Sequence, residues 1–358
     1  MKLENSVIVD QVLKSVVDLF DYKFDGLNTF ETPQFQAPQR DGSWNIGLIV
    51  GSSGSGKTSL LKEHYGITES PEWNSDLSIV SQVDYRKLCA VGLNSVPSWC
   101  NPFHVLSNGE QFRARLARML ADNVTIDEFT SVIDRVVAQN SCHSIQKYIR
   151  QQNIAGVVFA SCHFDIIDWL QPDWIFNTQT GDLTSRGSLR PKPEIKLDIH
   201  ECKYDCWKIF RKHHYLNTEI NKSAKCFIGL LNDIPVAFSS CITFPSGTLK
   251  KAWREHRTVV LPDYQGLGLG VRISDFTGQI MIDSGFRYFS KTSHPRMGEY
   301  RNNSPLWRAT CKNGKKRNDY AKANERAIAK NSTKAKLAAY QRNLSCYSHE
   351  YIGPIVNN

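Results

Sequence analysis

A glycine-rich segment that directly follows an apolar run constrains the fold of this chain more than any other feature. Residues 51–58 have the sequence GSSGSGKT, and residues 46–50 before them have the sequence IGLIV. This pattern predicts a buried strand, a tight turn and a helix over residues 59–65, whose N-terminal N–H groups bind phosphate. We expect Lys57 to reach the β- and γ-phosphates of a nucleotide and the Thr58 hydroxyl to coordinate Mg²⁺. The predicted phosphate contacts are Gly51, Ser52, Gly54, Gly56, Lys57, Thr58 and Ser59.

Acidic residues and a histidine follow two further apolar runs. Residues 124–126, VTI, predict a short strand that ends at Asp127 and Glu128. Residues 156–160, GVVFA, predict a second strand that ends shortly before His163. We expect one carboxylate to bind the metal and the other to polarise water against the γ-phosphate. A polar residue such as His163 at the second strand end can then sense that phosphate.

These motifs, in this order, resemble the ABC-type ATPase family over roughly residues 1–185. The resemblance implies an α/β P-loop ATPase domain in which Asp127 binds Mg²⁺, Glu128 is the catalytic glutamate and His163 is the switch histidine. It also implies that Gln82 is the Q-loop residue and a further metal contact, and that residues 131–134 form the D-loop.

A further motif of the same family occupies residues 106–111, LSNGEQ. It resembles the family's signature sequence, although Asn108 stands where a glycine is usual. ABC ATPases bury ATP between the phosphate-binding turn of one subunit and the signature of the other. The resemblance therefore implies a homodimer closed by ATP, with Ser107, Gly109 and Gln111 as nucleotide contacts.

Composition argues against a membrane transporter. No stretch approaches the roughly 18 consecutive apolar residues of a membrane span, and the N-terminus lacks a basic and then apolar signal. The stretch between Gln82 and Leu106 is also short for the subdomain that transporters dock onto their membrane partner. The ten cysteines are irregularly spaced without a CxxC pair, which predicts reduced thiols and a cytoplasmic protein.

A cluster of histidines and cysteines in the second half raises the question of a metal site. Its spacing matches no common zinc pattern, and buried thiols beside a surface histidine are the preferred interpretation. The residues concerned are His200, Cys202, Cys206, His213 and His214.

The two halves of the chain differ in charge. Residues 1–190 carry 16 Lys and Arg against 21 Asp and Glu, whereas residues 191–358 carry 28 against 14. Residues 184–193, TSRGSLRPKP, have the composition of a linker. A chain of 358 residues is longer than one hydrophobic core usually supports. We therefore predict domains at 1–185 and 196–358 with a linker at 186–195, and a nucleic-acid surface on the basic half.

The basic half contains its own glycine-rich turn. Residues 257–262, RTVVLP, predict a strand, and residues 263–270, DYQGLGLG, lead into a helix over about residues 271–284. Residues 226–231 and 236–243 predict a hairpin, and residues 286–290 predict a later strand. Successive N–H groups at a helix N-terminus can bind a pyrophosphate.

The spacing of Gln265, Gly268 and Gly270 after Pro262 resembles motif A of the GNAT acyltransferases, over roughly residues 200–310. The resemblance implies an α+β acyltransferase domain in which Gln265, Gly266, Gly268 and Gly270 bind the pyrophosphate of acetyl-CoA.

Acyl transfer requires a neutral acceptor amine and a hydrogen-bond donor for the thioester oxygen. Tyr351 is a candidate acid that could protonate the departing thiolate. Trp207, Phe210 and His214 stand at helical spacing, so His214 could instead belong to one packed helix face. The candidate catalytic residues of this half are His213, His214, Tyr215, Ser293 and His294.

A basic segment interleaved with aromatic residues follows over residues 296–342, and its densest cluster is residues 312–317, KNGKKR. Such a segment can neutralise phosphates and stack on an exposed base. A solvated Ala- and Lys-rich helix over roughly residues 320–340 is the alternative.

The second half also resembles the Mom-type DNA-modification proteins of bacteriophages, on residues 213–216, 293–295 and 348–353. The resemblance implies acyl transfer from acetyl-CoA to the exocyclic amine of a nucleobase, most simply in DNA, with the base flipped out of the helix. Two alternatives stay open. One is an ATP-gated acetyltransferase that acts on a protein or small amine, and the other is a non-catalytic ATP-dependent clamp on nucleic acid.

Overall fold

The structure is a computed structural model that describes residues 2–185, 193–214, 219–246, 249–315 and 346–354. The chain forms two compact units. The first contains the residues up to Val91 together with Asn101–Pro193, and the second contains Gly92–Cys100 together with the residues from Glu194 onward. The predicted linker at 186–195 spans this boundary, but residues 186–192 lie outside the described residues. Gly92–Cys100 lies within the predicted first domain at 1–185 but groups with the second unit.

The first unit is built on a five-stranded sheet in the order β4-β5-β3-β6-β7, parallel except for β7. All residues of β3 and β5 are buried, which explains why both strands are continuous apolar runs. A separate hairpin pairs β1 with β2. The strands are β1 (Lys2–Ser6), β2 (Leu27–Glu31), β3 (Ile46–Val50), β4 (Thr125–Ile126), β5 (Val157–Ser161), β6 (Trp174–Asn177) and β7 (Asp182–Ser185).

Four of the six helices described in the first unit begin at a residue whose side chain caps the helix. Ser107 and Glu110 form a capping box at the start of α5, and the Asp134 side chain caps α6. The predicted helix over residues 59–65 is observed two residues earlier at its start, because the glycine turn itself opens α2. The helices are α1 (Gln11–Leu19), α2 (Lys57–His64), α3 (Tyr85–Ala90), α5 (Asn108–Met119), α6 (Arg135–Gln151) and α7 (Ile167–Leu170).

The second unit is built on a seven-stranded sheet in the order β13-β14-β12-β11-β10-β9-β8. Only the β11–β12 pair is parallel; the other pairs are antiparallel. The predicted hairpin is present as β9 and β10, and Asn232 and Asp233 turn it with positive φ angles. The strands are β8 (Asp198–Cys202), β9 (Lys225–Leu231), β10 (Ile234–Thr243), β11 (Ala252–Val260), β12 (Arg287–Thr292), β13 (Trp307–Ala309) and β14 (Tyr347–Tyr351).

Four helices accompany this sheet in the described residues: α4 (Val96–Trp99), α8 (Trp207–Phe210), α9 (Leu269–Asp283) and α10 (Pro295–Asn303). The single helix face proposed for Trp207, Phe210 and His214 is not continuous, because α8 ends at Phe210 and a 3₁₀ turn over Arg211–His213 follows. His214 nevertheless packs against Trp207, with ring centroids 5.5 Å apart.

No helix within the described ranges combines the length and the apolar character that a bilayer crossing requires.

Candidate functional sites

The first glycine-rich turn connects β3 to α2 with the geometry of a phosphate-binding loop. Gly56 precedes α2 at φ +87°, a left-handed conformation that side chains rarely adopt. A Cβ built on Gly54 would meet nothing within 4 Å, so the turn is open on that side. The Lys57 ammonium donates to the carbonyls of Gly51 and Ser52, at 2.9 and 2.6 Å. The turn therefore presents a cation and a helix N-terminus to one space.

A hydroxyl and a carboxylate meet beside this turn. The Thr58 hydroxyl donates to Asp127 Oδ2 at 2.7 Å, and Asp127 Oδ1 accepts the backbone N–H of Glu128 at 2.8 Å. Hard oxygen ligands of this kind suit Mg²⁺. Thr58 and Asp127, both predicted as metal ligands, are thus brought together, and their oxygen atoms suit Mg²⁺.

Glu128 occupies a strained turn directly after the metal-binding carboxylate. Its φ is +49° and that of Thr130 is +71°, both unusual for residues other than glycine. The Glu128 carbonyl accepts the Ser131 hydroxyl at 2.8 Å, which holds the turn, and the Glu128 residue itself is exposed. Glu128 thus follows β4 in an unusual backbone conformation and is accessible to solvent.

His163 follows β5 and has a defined hydrogen-bonding state. Its Nδ1 lies 2.8 Å from the Arg135 guanidinium and 3.1 Å from the Thr130 hydroxyl. Because arginine can only donate, Nδ1 accepts and the ring proton resides on Nε2. Burial and the Arg135 charge lower the pKa of His163, against the raising effect of Asp165. The ring is therefore a neutral donor at Nε2.

Gln82 is engaged by its own loop. Its Oε1 accepts the N–H of Asn74 at 2.9 Å, and its Nε2 donates to the carbonyls of Asn74 and Leu77, both at 3.1 Å. A metal contact through Gln82 requires this loop to release the amide, so the role stays a prediction.

The residues of the signature-like motif lie at the N-terminus of α5. Ser107 and Asn108 are exposed, whereas Gln111 donates to the Leu106 carbonyl at 3.0 Å. A Cβ on Gly109 would touch only Val137, at 3.8 Å. The capping box of Ser107 and Glu110 satisfies N–H groups at this helix end, so the nucleotide contacts of Ser107, Gly109 and Gln111 stay a prediction.

An aromatic residue that sequence analysis missed lies beside the first turn. Phe30 of β2 is 39 % exposed, and its ring lies 3.0 Å from the Cβ position of Gly56. A flat exposed ring at the edge of a phosphate turn can stack on a base. No local motif marks Phe30, because only folding brings β2 to this turn.

The second glycine-rich turn resembles the first in its backbone. Gly268 precedes α9 at φ +81°, and a Cβ there would meet nothing within 4 Å. Gly270 lies inside the helix, where its Cβ position is 3.4 Å from Val260. Gln265 donates its Nε2 to the Val260 carbonyl at 3.1 Å, which ties the turn to the end of β11. The predicted residues 265–270 thus form an open, anchored turn.

The parallel strands β11 and β12 separate beside this turn. They pair only from Ala252 to Arg254 and from Arg287 to Phe289, although β11 continues to Val260 and β12 to Thr292. We call the unpaired portions, residues 255–260 and 290–292, the strand gap. Unpaired strand edges can bind an extended chain that carries amide groups.

A buried ion pair spans the strand gap. Arg301 of α10 donates Nη2 to Glu255 Oε2 on β11 at 2.9 Å and Nη1 to the Ser290 hydroxyl on β12. Burial raises the pKa of Glu255, but the charge of Arg301 and the hydroxyl hydrogen bonds to the carboxylate together leave that pKa below its usual value. The Glu255 carboxylate accepts three hydroxyls, from Thr258, Ser274 and Ser290. In the sequence Arg301 is one residue of the basic segment 296–342, and only the packing of distant segments buries it.

The candidate bases at residues 213–215 are only partly supported. Burial and the charges of Arg257 and His256 lower the pKa of His214 to about 4. His256, an extra residue in a β-bulge between Glu255 and Arg257, also has its pKa lowered to about 4. His213 is half-buried in the 3₁₀ turn, and Tyr215 lies outside the described residues. His214 is therefore a weak base, contrary to expectation.

Ser293 and His294 stand between β12 and α10. The Ser293 hydroxyl lies 3.5 Å from Cys346 Sγ, and the His294 N–H donates to the Thr292 hydroxyl at 3.0 Å. Burial lowers the pKa of His294, although the Asn94 carbonyl opposes this. Among the described residues His294 Nδ1 has no partner. A neutral imidazole with an available lone pair results.

The C-terminal segment that carries the Mom-type resemblance is a buried strand. His349 and Tyr351 of β14 are 1 % and 4 % exposed, and the Tyr351 hydroxyl donates to Gln279 Oε1 at 3.2 Å. Glu350 pairs with Arg287 and Arg308. Burial raises the pKa of Tyr351 to about 12, so its suggestion as an acid is not supported.

The remaining sequence predictions have mixed outcomes. None of the ten cysteines, all of which are described, forms a disulfide, and the described residues contain no cluster of three His, Cys, Asp or Glu suited to a metal. Lys312 and Lys315 of the basic cluster are exposed. Residues 316–345, which include most of the predicted nucleic-acid segment, lie outside the described residues.

No protein-family model matches the chain, and no curated protein matches it. The solved structures similar to it include ATP-binding cassettes and GNAT acetyltransferases. A dimeric ATP-binding cassette bound to ADP and Pi aligns over 46 % of this chain and 94 % of its own, at 14 % identity and a TM-score of 0.35. A putative GNAT acetyltransferase from Desulfovibrio desulfuricans aligns over 32 % and 87 %, at 9 % identity and 0.28.

The ribosomal-protein-S18-alanine N-acetyltransferase of Escherichia coli aligns over 46 % of this chain and 98 % of its own, at 12 % identity and a TM-score of 0.31. At such identities and scores the likenesses carry no functional assignment. Function is therefore inferred from the residues of this chain.

Proposed function

We propose that the chain is an ATP-hydrolysing N-acyltransferase that transfers an acyl group from acetyl-CoA to the exocyclic amine of a nucleobase, in DNA. The observation that carries the proposal is the pair of open turns. In each, a left-handed glycine, Gly56 or Gly268, precedes a helix, and the Cβ position of Gly54 or Gly268 meets nothing within 4 Å. Each turn is also anchored by a polar side chain, Lys57 or Gln265.

The first turn is suited to nucleotide hydrolysis. Lys57 and the N-terminus of α2 supply positive charge for the phosphates. Thr58 and Asp127 would hold Mg²⁺, which would neutralise charge on the phosphate oxygens when bound. In this proposal the exposed Glu128 carboxylate orients water, and His163 donates its Nε2 proton to a γ-phosphate oxygen. Phe30 would support the adenine.

The second turn is suited to a pyrophosphate with an extended amide-bearing arm. The N-terminus of α9 offers N–H groups to the phosphates, and the strand gap offers unpaired backbone edges to the arm. In the reaction the acceptor nitrogen bonds to the thioester carbonyl carbon and the carbon–sulfur bond breaks. The amine proton passes to solvent or a base, and the thiolate gains a proton to leave as a thiol.

The low pKa values of His214 and His256 favour an acceptor group that is already neutral before it binds. A lysine amine has a pKa near 10.4 and must lose a proton to a base. His214 and His256, each with its pKa lowered to about 4, are poorly suited to that task. An exocyclic nucleobase amine is uncharged at neutral pH, although base flipping is needed to expose it in duplex DNA.

Charge also favours a nucleic-acid acceptor. Residues 191–358 carry 28 Lys and Arg against 14 Asp and Glu, and the exposed Lys312 and Lys315 lie in this half. Each phosphate that such a lysine neutralises releases counterions. The slope of the logarithm of the binding constant against the logarithm of salt concentration then steepens by nearly one. We further propose that the chain forms a homodimer in which Ser107, Gly109 and Gln111 of each copy contact the nucleotide bound by the other copy. We also propose that the protein acts in the cytoplasm.

Nucleoside mass spectrometry of DNA and RNA from expressing cells tests the proposal. Acylated nucleosides are expected with the wild-type chain and absent with Gly268→Val, which fills the second turn. Acyl transfer to protein, with nucleosides unmodified, would replace the nucleobase acceptor. A non-catalytic clamp would be indicated by two results together. The chain would bind acetyl-CoA without forming any acyl product, and Lys312→Ala and Lys315→Ala would each weaken the dependence of DNA affinity on salt concentration.

A further inference from the structure

One face of the sheet in the second unit carries basic side chains across neighbouring strands. Along β12, Tyr288 and Ser290 are buried, whereas Arg287 and Lys291 are exposed and Phe289 between them is half-buried. Successive side chains of a strand point to opposite faces of the sheet. Residues 287, 289 and 291 therefore share one face, and the two buried residues lie on the other.

The helices α9 and α10 pack on the face of the buried residues. The Ser290 hydroxyl accepts a hydrogen bond from Arg301 of α10, and Tyr288 packs in one apolar cluster with Met281 of α9. The face with the basic residues is therefore the one that these two helices leave uncovered. Its side chains are accessible, since that of Arg287 is 48 % exposed.

The strand register extends this face to both neighbours of β12 and to β13. Phe289 pairs with Arg254 of β11 and with Glu350 of β14, and Glu350 pairs with Arg308 of β13. Directly paired residues share a face, so these four residues form one row across the sheet. Side-chain contacts agree, because Glu350 accepts from Arg287 Nε at 2.6 Å and from Arg308 Nη2 at 2.8 Å. The basic residues of this surface, which we call the basic sheet face, are Arg254, Arg287, Lys291 and Arg308.

The basic sheet face has the dimensions of a polyanion site rather than of a site for one small anion. Arg254 and Arg308 stand three strand spacings apart in their row, or about 14 Å. Arg287 and Lys291 are separated along β12 by about 13 Å. Phosphates of one DNA strand recur about every 3.4 Å along the helix axis, so this span covers about four of them. Against the cations, the row contains one carboxylate, that of Glu350.

Arg287 is oriented before any ligand binds. Its guanidinium carbon lies 5.0 Å from the centre of the Phe289 ring, and its Nε donates to Glu350. A guanidinium carries five N–H donors in a planar fork, and the bond to Glu350 uses one of them. A side chain that is already ordered loses little conformational entropy on binding a phosphate. The half-buried Phe289 ring thus supports a phosphate-binding cation.

We propose that the basic sheet face binds the sugar–phosphate backbone of the DNA that the chain modifies. The inference rests on the proposed function of the second unit. Lys291 lies within the strand gap, and Arg254 directly precedes the β11 portion of that gap. Bound DNA would therefore run beside the strand gap on one face of the sheet. The helix α9, whose N-terminus is proposed to bind the pyrophosphate, lies on the other face, so the two ligands do not compete.

Fluorescence anisotropy of a labelled random-sequence DNA duplex, titrated with the full chain at several salt concentrations, tests the inference. Arg254→Ala and Lys291→Ala should each weaken DNA affinity by about eightfold near 0.1 M salt. Each should also reduce the salt slope by nearly one, because one phosphate contact makes the binding constant vary with about the −0.9 power of salt concentration.

Lys196→Ala is the matched control for Lys291→Ala. The Lys196 side chain is 82 % exposed and precedes β8, the strand at the opposite edge of the sheet from β13. The control should bind DNA as wild type does. Urea denaturation checks that each variant keeps its fold, and Arg308→Ala, at a side chain 65 % exposed, replaces any variant that does not.

The outcomes separate this inference from the proposed function. Wild-type affinity and salt slope in every variant of the basic sheet face would overturn the inference and leave a nucleic-acid acceptor intact. An equal loss for Lys196→Ala would also overturn it, since DNA affinity would then follow overall charge. DNA binding that depends on the basic sheet face, without any acylated nucleoside from the wild-type chain, would reject the proposed function and support the surface.

Discussion

The Arg135 guanidinium donates to His163 Nδ1 at 2.8 Å while forming an ion pair with Asp165. This relationship determines which ring nitrogen of His163 carries the proton. It also places a positive and a negative charge beside the same imidazole, with opposite effects on its pKa. The two neighbours therefore allow the pKa of His163 to be moved in either direction by single substitutions.

Arg135→Gln should raise the pKa of His163 because it removes a cation that disfavours the imidazolium. His163 would then become charged at a higher pH, so the acidic limb of the ATPase pH–rate profile should move to higher pH. Asp165→Asn removes the anion and should move the limb to lower pH. Profiles that coincide for the three proteins would show that His163 titration does not limit hydrolysis.

Glu128→Gln should bind ATP but fail to hydrolyse it, because the amide cannot polarise water as a carboxylate does. In the ATP-closed dimer this change is expected to stall the closed state. Light scattering with size-exclusion chromatography should then give twice the mass of the nucleotide-free protein when Mg²⁺ and excess ATP are present. A monomer under these conditions would contradict the ATP-closed dimer.

Substitutions in the two turns should separate the two ligands. Lys57→Ala should weaken ATP binding at least tenfold and leave acetyl-CoA binding unchanged, whereas Gly268→Val should do the reverse, as measured by calorimetry. Gly285→Val is the matched control, since Gly285 lies at the other end of α9 at φ +76° with nothing within 4 Å of its Cβ position. Both valines cost about 1 kcal/mol of backbone strain. Equal acetyl-CoA affinity for both would disprove the pyrophosphate role of the turn.

The ion pair in the strand gap should behave as a unit. Arg301→Met leaves Glu255 buried and charged, so it should lower the free energy of unfolding by about 3–5 kcal/mol. The double change with Glu255→Gln should recover much of this loss, as measured by urea denaturation. Additive losses would mean that the two side chains are not coupled.

The stability of this pair should also depend on pH. The folded state depresses the pKa of Glu255, so its stabilising contribution is present above the unfolded pKa near 4.3 and is lost as the pH falls below it. The difference in unfolding free energy between wild type and the double variant should therefore narrow in acid. A difference independent of pH would contradict an ionised Glu255.

The nucleotide-site residues were predictable because their order along the chain is itself informative. Thr58 and Asp127 were predicted to share a metal and meet at 2.7 Å. Phe30 and Arg135 could not be predicted, since no local pattern distinguishes an aromatic in an exposed hairpin or an arginine at a helix start. In the second unit the turn around Gly268 was predictable, whereas the pKa of His214 depends on Arg257 and His256 from another strand.

Sequence alone determined the two glycine-rich turns, because left-handed backbone and close approach to phosphate leave few residue choices and so mark those positions. It also indicated several buried strands through continuous apolar runs, such as residues 46–50 and 156–160. Only the tertiary structure decided that residues 92–100 pack in the second unit, that Arg301 is buried beside Glu255, and that His214 is a weak base. Burial and the neighbouring charges of distant segments set those properties, and the linear order of residues does not contain them.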